Sequence, residues 1–132
     1  MTESSAPEGL KGLRIFVVED EAIIAMMLED ILVSLGCVVV GVAGTVAQGL
    51  AGVERGADLI DAAVLDVNIG GEMVFPVADA LMARNAPFIF ATGYGRTGVT
   101  ERYPDIAVLS KPYVVSALAQ ALVEATEASR RS

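Results

Sequence analysis

Leu13-Arg14-Ile15-Phe16-Val17-Val18-Glu19-Asp20-Glu21 is the stretch on which the reading of the fold turns. Its first six residues, rich in β-branched and aromatic side chains and preceded by the breaker Gly12, read as a buried strand, and three acids close it. From Glu21 the apolar positions Ile23, Ile24, Met27, Leu28, Ile31, Leu32 and Leu35 recur at helical spacing until Gly36 stops the helix. A buried strand handing over to an amphipathic helix is the first unit of an α/β domain, provided the alternation continues.

It does continue. Cys37 to Val42 reads as a second strand, followed by a helix from about Thr45 to Arg55 with Thr45 as its N-cap. Ala62 to Leu65 is a third strand, closed by Asp66, and Met73 to Arg84 a helix whose Pro76 must lie in its first turn. Pro87 to Thr92 is a fourth strand. Between the glycine-dense loop Gly93 to Gly98 and Pro104 there is room for one or two helical turns only. Ile106 to Ser110 is the fifth strand, and Val114 to Glu127 the last helix, with Leu118 and Leu122 inward. Residues 1–12 and 128–132 read as tails around one domain, 13–127. Strict alternation implies an all-parallel sheet with right-handed crossovers and helices on both faces, and ligands then bind beyond the carboxyl ends of the strands.

The 132 residues suit a single domain. A net charge of −8 with only nine Lys and Arg argues against direct DNA binding, which needs clustered cations. The absence of histidine removes imidazole acid/base chemistry and most zinc sites. The apolar runs are too short to span a bilayer, and the start, with Glu3 and Glu8, does not resemble a secretory leader. A cytoplasmic location is expected. Cys37, the lone cysteine, reads as a buried strand residue.

Four of the five strands end in a polar or charged group. The first delivers Glu19 and Asp20, the third Asp66, the fourth Thr92, and the fifth reaches Lys111-Pro112. Parallel strands bring these ends to one edge. Carboxylates crowded there repel one another, and a hard divalent cation such as Mg²⁺ relieves the conflict. Each residue also has a plainer reading: Asp20 as a helix cap, Glu21 as a first-turn acid, Thr92 as a strand-end hydroxyl bonding backbone, Lys111 as a structural ion pair. Their joint placement favours a site. Gly93-Tyr94-Gly95-Arg96-Thr97-Gly98 matches the dinucleotide-binding pattern in letters, but Pro104 leaves no full helix after it, and the first strand ends in acids that would repel a pyrophosphate.

Val17-Val18-Glu19-Asp20-Glu21, Leu65-Asp66-Val67-Asn68, Phe90-Ala91-Thr92-Gly93-Tyr94 and Ser110-Lys111-Pro112, in that order, resemble the receiver domain of response regulators from about Leu13 to Glu127. The Phe-Ala-Thr-Gly-Tyr-Gly run resembles the alphaproteobacterial FAT GUY subgroup. The resemblance implies a flavodoxin-like (βα)5 fold, doubly wound on a five-stranded parallel sheet of order 2-1-3-4-5. It also implies a stand-alone switch of a two-component or phosphorelay system. Asp66 would take a phosphoryl group from a histidine kinase, of the HWE or HisKA2 type in this subgroup. Mg²⁺, which Mn²⁺ can replace, would be held by Asp66, by Asp20 directly, by Glu19 mainly through water and by the Asn68 backbone carbonyl. Lys111 would pair with a phosphoryl oxygen and Thr92 hydrogen-bond the same group. The Lys111–Pro112 peptide is expected to be cis. A monomer that acts through a kinase, a phosphotransfer protein or a downstream regulator is expected, without membrane or direct DNA contact.

Two departures bear on the switch. Gly93 follows Thr92 where another small residue is common, and Val108 stands on the fifth strand where the family often carries an aromatic. Tyr94, with the Gly93 to Gly98 loop, is therefore expected to supply the moving part. Two other classes compete. A phosphohydrolase using Asp66 would need an acid two residues on, where Asn68 stands. A receiver-like binding module that is never phosphorylated would have no use for the acids, Thr92 and Lys111 together.

Overall fold

In the computed structural model of the chain, which describes residues 8–93 and 99–131, strand β1 (Arg14–Val18) leads to α1 (Ala22–Ser34), β2 (Val38–Ala43), α2 (Val46–Gly56) and β3 (Ala62–Asp66). A ribbon of β4 (Asn68–Ile69) and β5 (Glu72–Met73) follows, then α3 (Phe75–Ala83), β6 (Phe88–Thr92), α4 (Val99–Arg102), β7 (Val108–Ser110) and α5 (Val115–Arg131). Five strands pair in parallel in the order β2-β1-β3-β6-β7. Leaving out the two ribbon strands, the five run 2-1-3-4-5 across the sheet. The order reverses between β1 and β3, so the crevice beyond their carboxyl ends is where chemistry is expected.

Side-chain alternation sends each strand into two cores. Phe16, Val18, Leu65, Phe88 and Phe90 share one with Val53 of α2 and Val77 and Leu81 of α3. Ile15, Val17, Val64 and Ile89 share the other with Leu28 and Leu32 of α1 and Leu118 and Leu122 of α5. Both faces of the central strands are thus covered, which explains their unbroken apolar runs. Phe16 fits only because two glycines face it: a Cβ on Gly52 would stand 2.5 Å from its ring and one on Gly41 3.2 Å. The β1–β2 pairing shifts register between Ile15 and Phe16.

Local signals act as their chemistry dictates. Thr45 Oγ1 accepts the Gln48 N–H at 3.0 Å, and the Gln48 side chain reaches back to the Gly44 N–H at 2.9 Å. Pro76 sits in the first turn of α3. Cys37 lies just before β2 and is buried, and loss of water pushes its thiol up to about 11.

The structure departs from the sequence reading at both ends and after β3. Residues 1–12 were expected to be a tail, yet Glu8–Leu10 form a 3-10 turn and Leu10 is fully buried in the α1/α5 core. The tail expected at 128–132 is helical as far as Arg131, because α5 carries on. Met73, expected to open a helix, belongs to the ribbon. Gly70 and Gly71, at φ of 59° and 87°, form its two-residue turn, and α3 begins only at Phe75.

Candidate functional site

Glu19 leaves β1 with its side chain out of solvent, and two donors satisfy it. Lys111 Nζ donates to Oε1 at 2.8 Å and the Glu21 backbone N–H to Oε2 at 3.1 Å. Asp66, the last residue of β3, is 7% exposed and lies 3.0 Å from the same Lys111 Nζ. Asp20 is exposed and accepts the Gly70 N–H at 2.8 Å, which ties the turn of the ribbon to the site. Carboxylate oxygens of Glu19, Asp20 and Asp66 all lie within 4.8 Å of one another.

Lys111 follows β7 and is anchored by its own N–H, which donates to the Thr92 carbonyl at 3.0 Å. The Lys111–Pro112 peptide is cis, as expected. Thr92 closes β6, 5% exposed, and pairs with Ser110. Asn68, two residues past Asp66, opens the ribbon, and its side-chain carbonyl accepts the Gly71 N–H at 3.0 Å. Glu19, Asp20, Asp66, Thr92 and Lys111 therefore meet at one sheet edge. Tyr94 lies outside the described residues, as does most of the Gly93 to Gly98 run.

The electrostatics follow from burial. Loss of water raises Asp66 to about 6; the Lys111 hydrogen bond opposes this, and the Glu19 charge pushes the same way. Burial works to lower Lys111, but its hydrogen bonds to Glu19 and Asp66 outweigh that, and it is raised and fully charged. Three carboxylates face one ammonium, so the pocket carries surplus negative charge. All its acidic donors are oxygens, which fits a hard divalent cation held by Asp20, Asp66 and Glu19.

Sequence reasoning passed over two neighbours of this pocket. Tyr113 follows the cis proline; burial raises its hydroxyl above the ordinary range, and the charges of Glu19 and Asp66 add to the shift. The other is the Gly70 N–H on Asp20, which the adjacent glycines Gly70-Gly71 could have signalled as a hairpin turn.

No family model matches the chain, and a search of curated proteins finds no match. Solved structures do match. SdrG from Sphingomonas melonis Fr1, determined in solution, is 50% identical over 88% of this chain and 97% of its own, with a TM-score of 0.76. The chain belongs to the receiver domains of response regulators. The BeF3-activated conformation of SdrG from Pseudomonas melonis Fr1 is 51% identical over 83% of this chain and 92% of its own, with a TM-score of 0.70. A response regulator receiver protein from Sinorhizobium medicae WSM419 is 25% identical over 91% of this chain and 98% of its own, with a TM-score of 0.80.

Within this receiver domain Val108 stands opposite Phe90 in the β6–β7 register, so the aromatic ring at that level comes from β6 rather than β7. Among the described residues no helix is long and apolar enough to cross a membrane.

Proposed function

We propose that this receiver domain accepts a phosphoryl group on Asp66 in a Mg²⁺-dependent reaction and signals through protein partners. The observation that carries the reading is the Asp66 carboxylate at a strand end, 3.0 Å from the Lys111 ammonium and within a cluster of three acids. An Asp66 carboxylate oxygen attacks phosphorus, and the bond from phosphorus to the donor nitrogen of a kinase phosphohistidine breaks. The product is an acyl phosphate, and the freed imidazole takes up a proton. Such transfer depends on positioning and charge neutralisation. Mg²⁺ in the cluster would neutralise the phosphoryl oxygens, held by Asp66, Asp20, Glu19 through water and the Asn68 backbone carbonyl. Mn²⁺ has the same oxygen preference and can take its place. Lys111 moves its hydrogen bond from Asp66 to a phosphoryl oxygen and keeps the one to Glu19. Thr92 turns its hydroxyl to the same group, and Tyr94, two residues on, moves with it.

The partner surface in this reading adjoins the pocket. Ile23, Met26 and Met27, 73%, 63% and 51% exposed, share one face of the first turns of α1, directly after Asp20. Val114 and Val115, at the start of α5, are exposed at the same sheet edge. Apolar side chains left in water around an acidic pocket suit a helical partner that brings a phosphohistidine to Asp66. A histidine kinase of the HWE or HisKA2 type is the proposed donor, consistent with the FAT GUY character of residues 90–95. A phosphotransfer protein or downstream regulator is the proposed recipient, with the domain acting as a monomer in the cytoplasm. Intact-mass analysis after incubation with acetyl phosphate and Mg²⁺ tests the reading. One phosphoryl group on the wild type and none on Asp66→Asn is expected; equal incorporation in both would overturn it.

A further inference from the structure

Helix α4 has four residues, too few to hold a helical turn unaided. Val99 anchors its start in the core shared with α3, and a second cluster fastens its end. Tyr103, the residue after it, is 5% exposed, and its hydroxyl donates to Asp79 Oδ1 on α3 at 2.6 Å. Arg102 donates from Nη2 to Asp79 Oδ2 at 3.4 Å and from Nε to the Tyr103 hydroxyl at 3.2 Å, and its guanidinium carbon lies 4.9 Å from the centre of the Phe75 ring. Beneath the polar group the Tyr103 ring packs 5.2 Å from Phe90 and 5.4 Å from Phe75, centre to centre.

This cluster touches the strand that carries the site. Phe88, Phe90 and Thr92 alternate along β6 and so share one face of the sheet. Tyr103 leans on Phe90, and Thr92 is the next position on that face toward Asp66. The Asp79 side chain is 54% exposed, so water competes for its hydrogen bonds and the cluster can open at moderate cost.

We propose that Asp79, Tyr103 and Arg102 form a latch that holds α4 on α3 in the arrangement where Lys111 pairs directly with Asp66, and that modification of Asp66 works against it. The inference rests on the phosphoacceptor reading above. A phosphoryl group on Asp66 draws Thr92 toward it and shifts the end of β6. Phe90, two residues earlier, passes that shift to the Tyr103 ring, which cannot follow while its hydroxyl is held by Asp79. Latch and modified site compete, so opening the latch raises the affinity of the site for a phosphoryl mimic, as linkage requires.

The full chain with Tyr103→Phe, which removes only the hydroxyl, and with Asp79→Ala, which removes its nearer acceptor and leaves only the Phe75 carbonyl at 3.4 Å, tests this. Amide exchange at residues 99–103 reports the latch. Titration with beryllofluoride at fixed Mg²⁺, followed by fluorine NMR, reports the site, with Asp66→Asn as the blank. Both variants are expected to exchange about tenfold faster over 99–103 and to half-saturate at roughly three- to tenfold lower beryllofluoride, the range of one ordinary, solvent-exposed hydrogen bond. Faster exchange with unchanged or weaker beryllofluoride binding would make the cluster a purely structural tie and overturn the proposal. Unchanged exchange would do the same. A wild type that bound no beryllofluoride would instead fail the phosphoacceptor reading itself, and the latch as a switch element with it.

Discussion

The Lys111 ammonium donates to the buried Glu19 carboxylate at 2.8 Å across 92 positions of sequence. It also reaches Asp66 at 3.0 Å, so a single cation neutralises two carboxylates delivered by different strands. Removing it leaves Glu19 buried without a counter-charge, held only by the Glu21 N–H, a situation that costs about 3 kcal/mol. Lys111→Ala should therefore lose about that much stability in metal-free urea denaturation and recover part of it with Mg²⁺, which it binds as tightly as wild type or more tightly. A variant that lost metal binding but switched normally would contradict the arrangement of charges described.

Asp66 gives the pH dependence its sign. Burial raises it to about 6 in the folded protein, against about 3.9 in an unfolded chain. Between those values the folded state holds a proton that the unfolded state has released, so stability falls as pH rises from about 4 to about 6, and the penalty is complete above that. Asp66→Asn should then melt roughly 3 to 6 °C above wild type at pH 7.5, with the gain shrinking toward pH 4. Thermal melts in metal-free buffer decide it; a lower melting point at pH 7.5 would mean that the Lys111 pair outweighs burial.

The exposed apolar face of α1 separates protein donors from small ones. Met26→Asp combined with Met27→Asp should slow transfer from a phosphorylated cognate kinase about tenfold or more, since a charge would replace an apolar anchor. Labelling by acetyl phosphate should not change, because neither side chain belongs to the pocket. Equal slowing with both donors would show damage to the pocket rather than loss of a docking face.

Leu10 tests where the folded unit begins. It is fully buried between α5 and α1, and truncating such a side chain leaves a cavity. Leu10→Ala should cost about 2–4 kcal/mol in urea denaturation with the slope unchanged. A loss within experimental error would return residues 8–12 to the tail.

Patterns of local origin were legible in the sequence. The five strands of the sheet, the Thr45 cap, Pro76 in the first turn of α3 and the strand-end placement of Glu19, Asp20, Asp66, Thr92 and Lys111 follow from periodicity, capping chemistry and the alternation of parallel strands, each set by residues a few positions apart. The ribbon at Asn68–Met73 was locally encoded too, by Gly70-Gly71, but two residues per strand leave no alternation to read. What the tertiary structure alone decided is every term that depends on distance through space. Lys111 serves Glu19 and Asp66 together, the Gly70 N–H holds Asp20, Leu10 completes a core, and Tyr103 finds Asp79 on a different helix. Desolvation and Coulomb interaction depend on separation in space, and the chain brings these polar partners to hydrogen-bond distance, and Leu10 into its core, only once the sheet has closed.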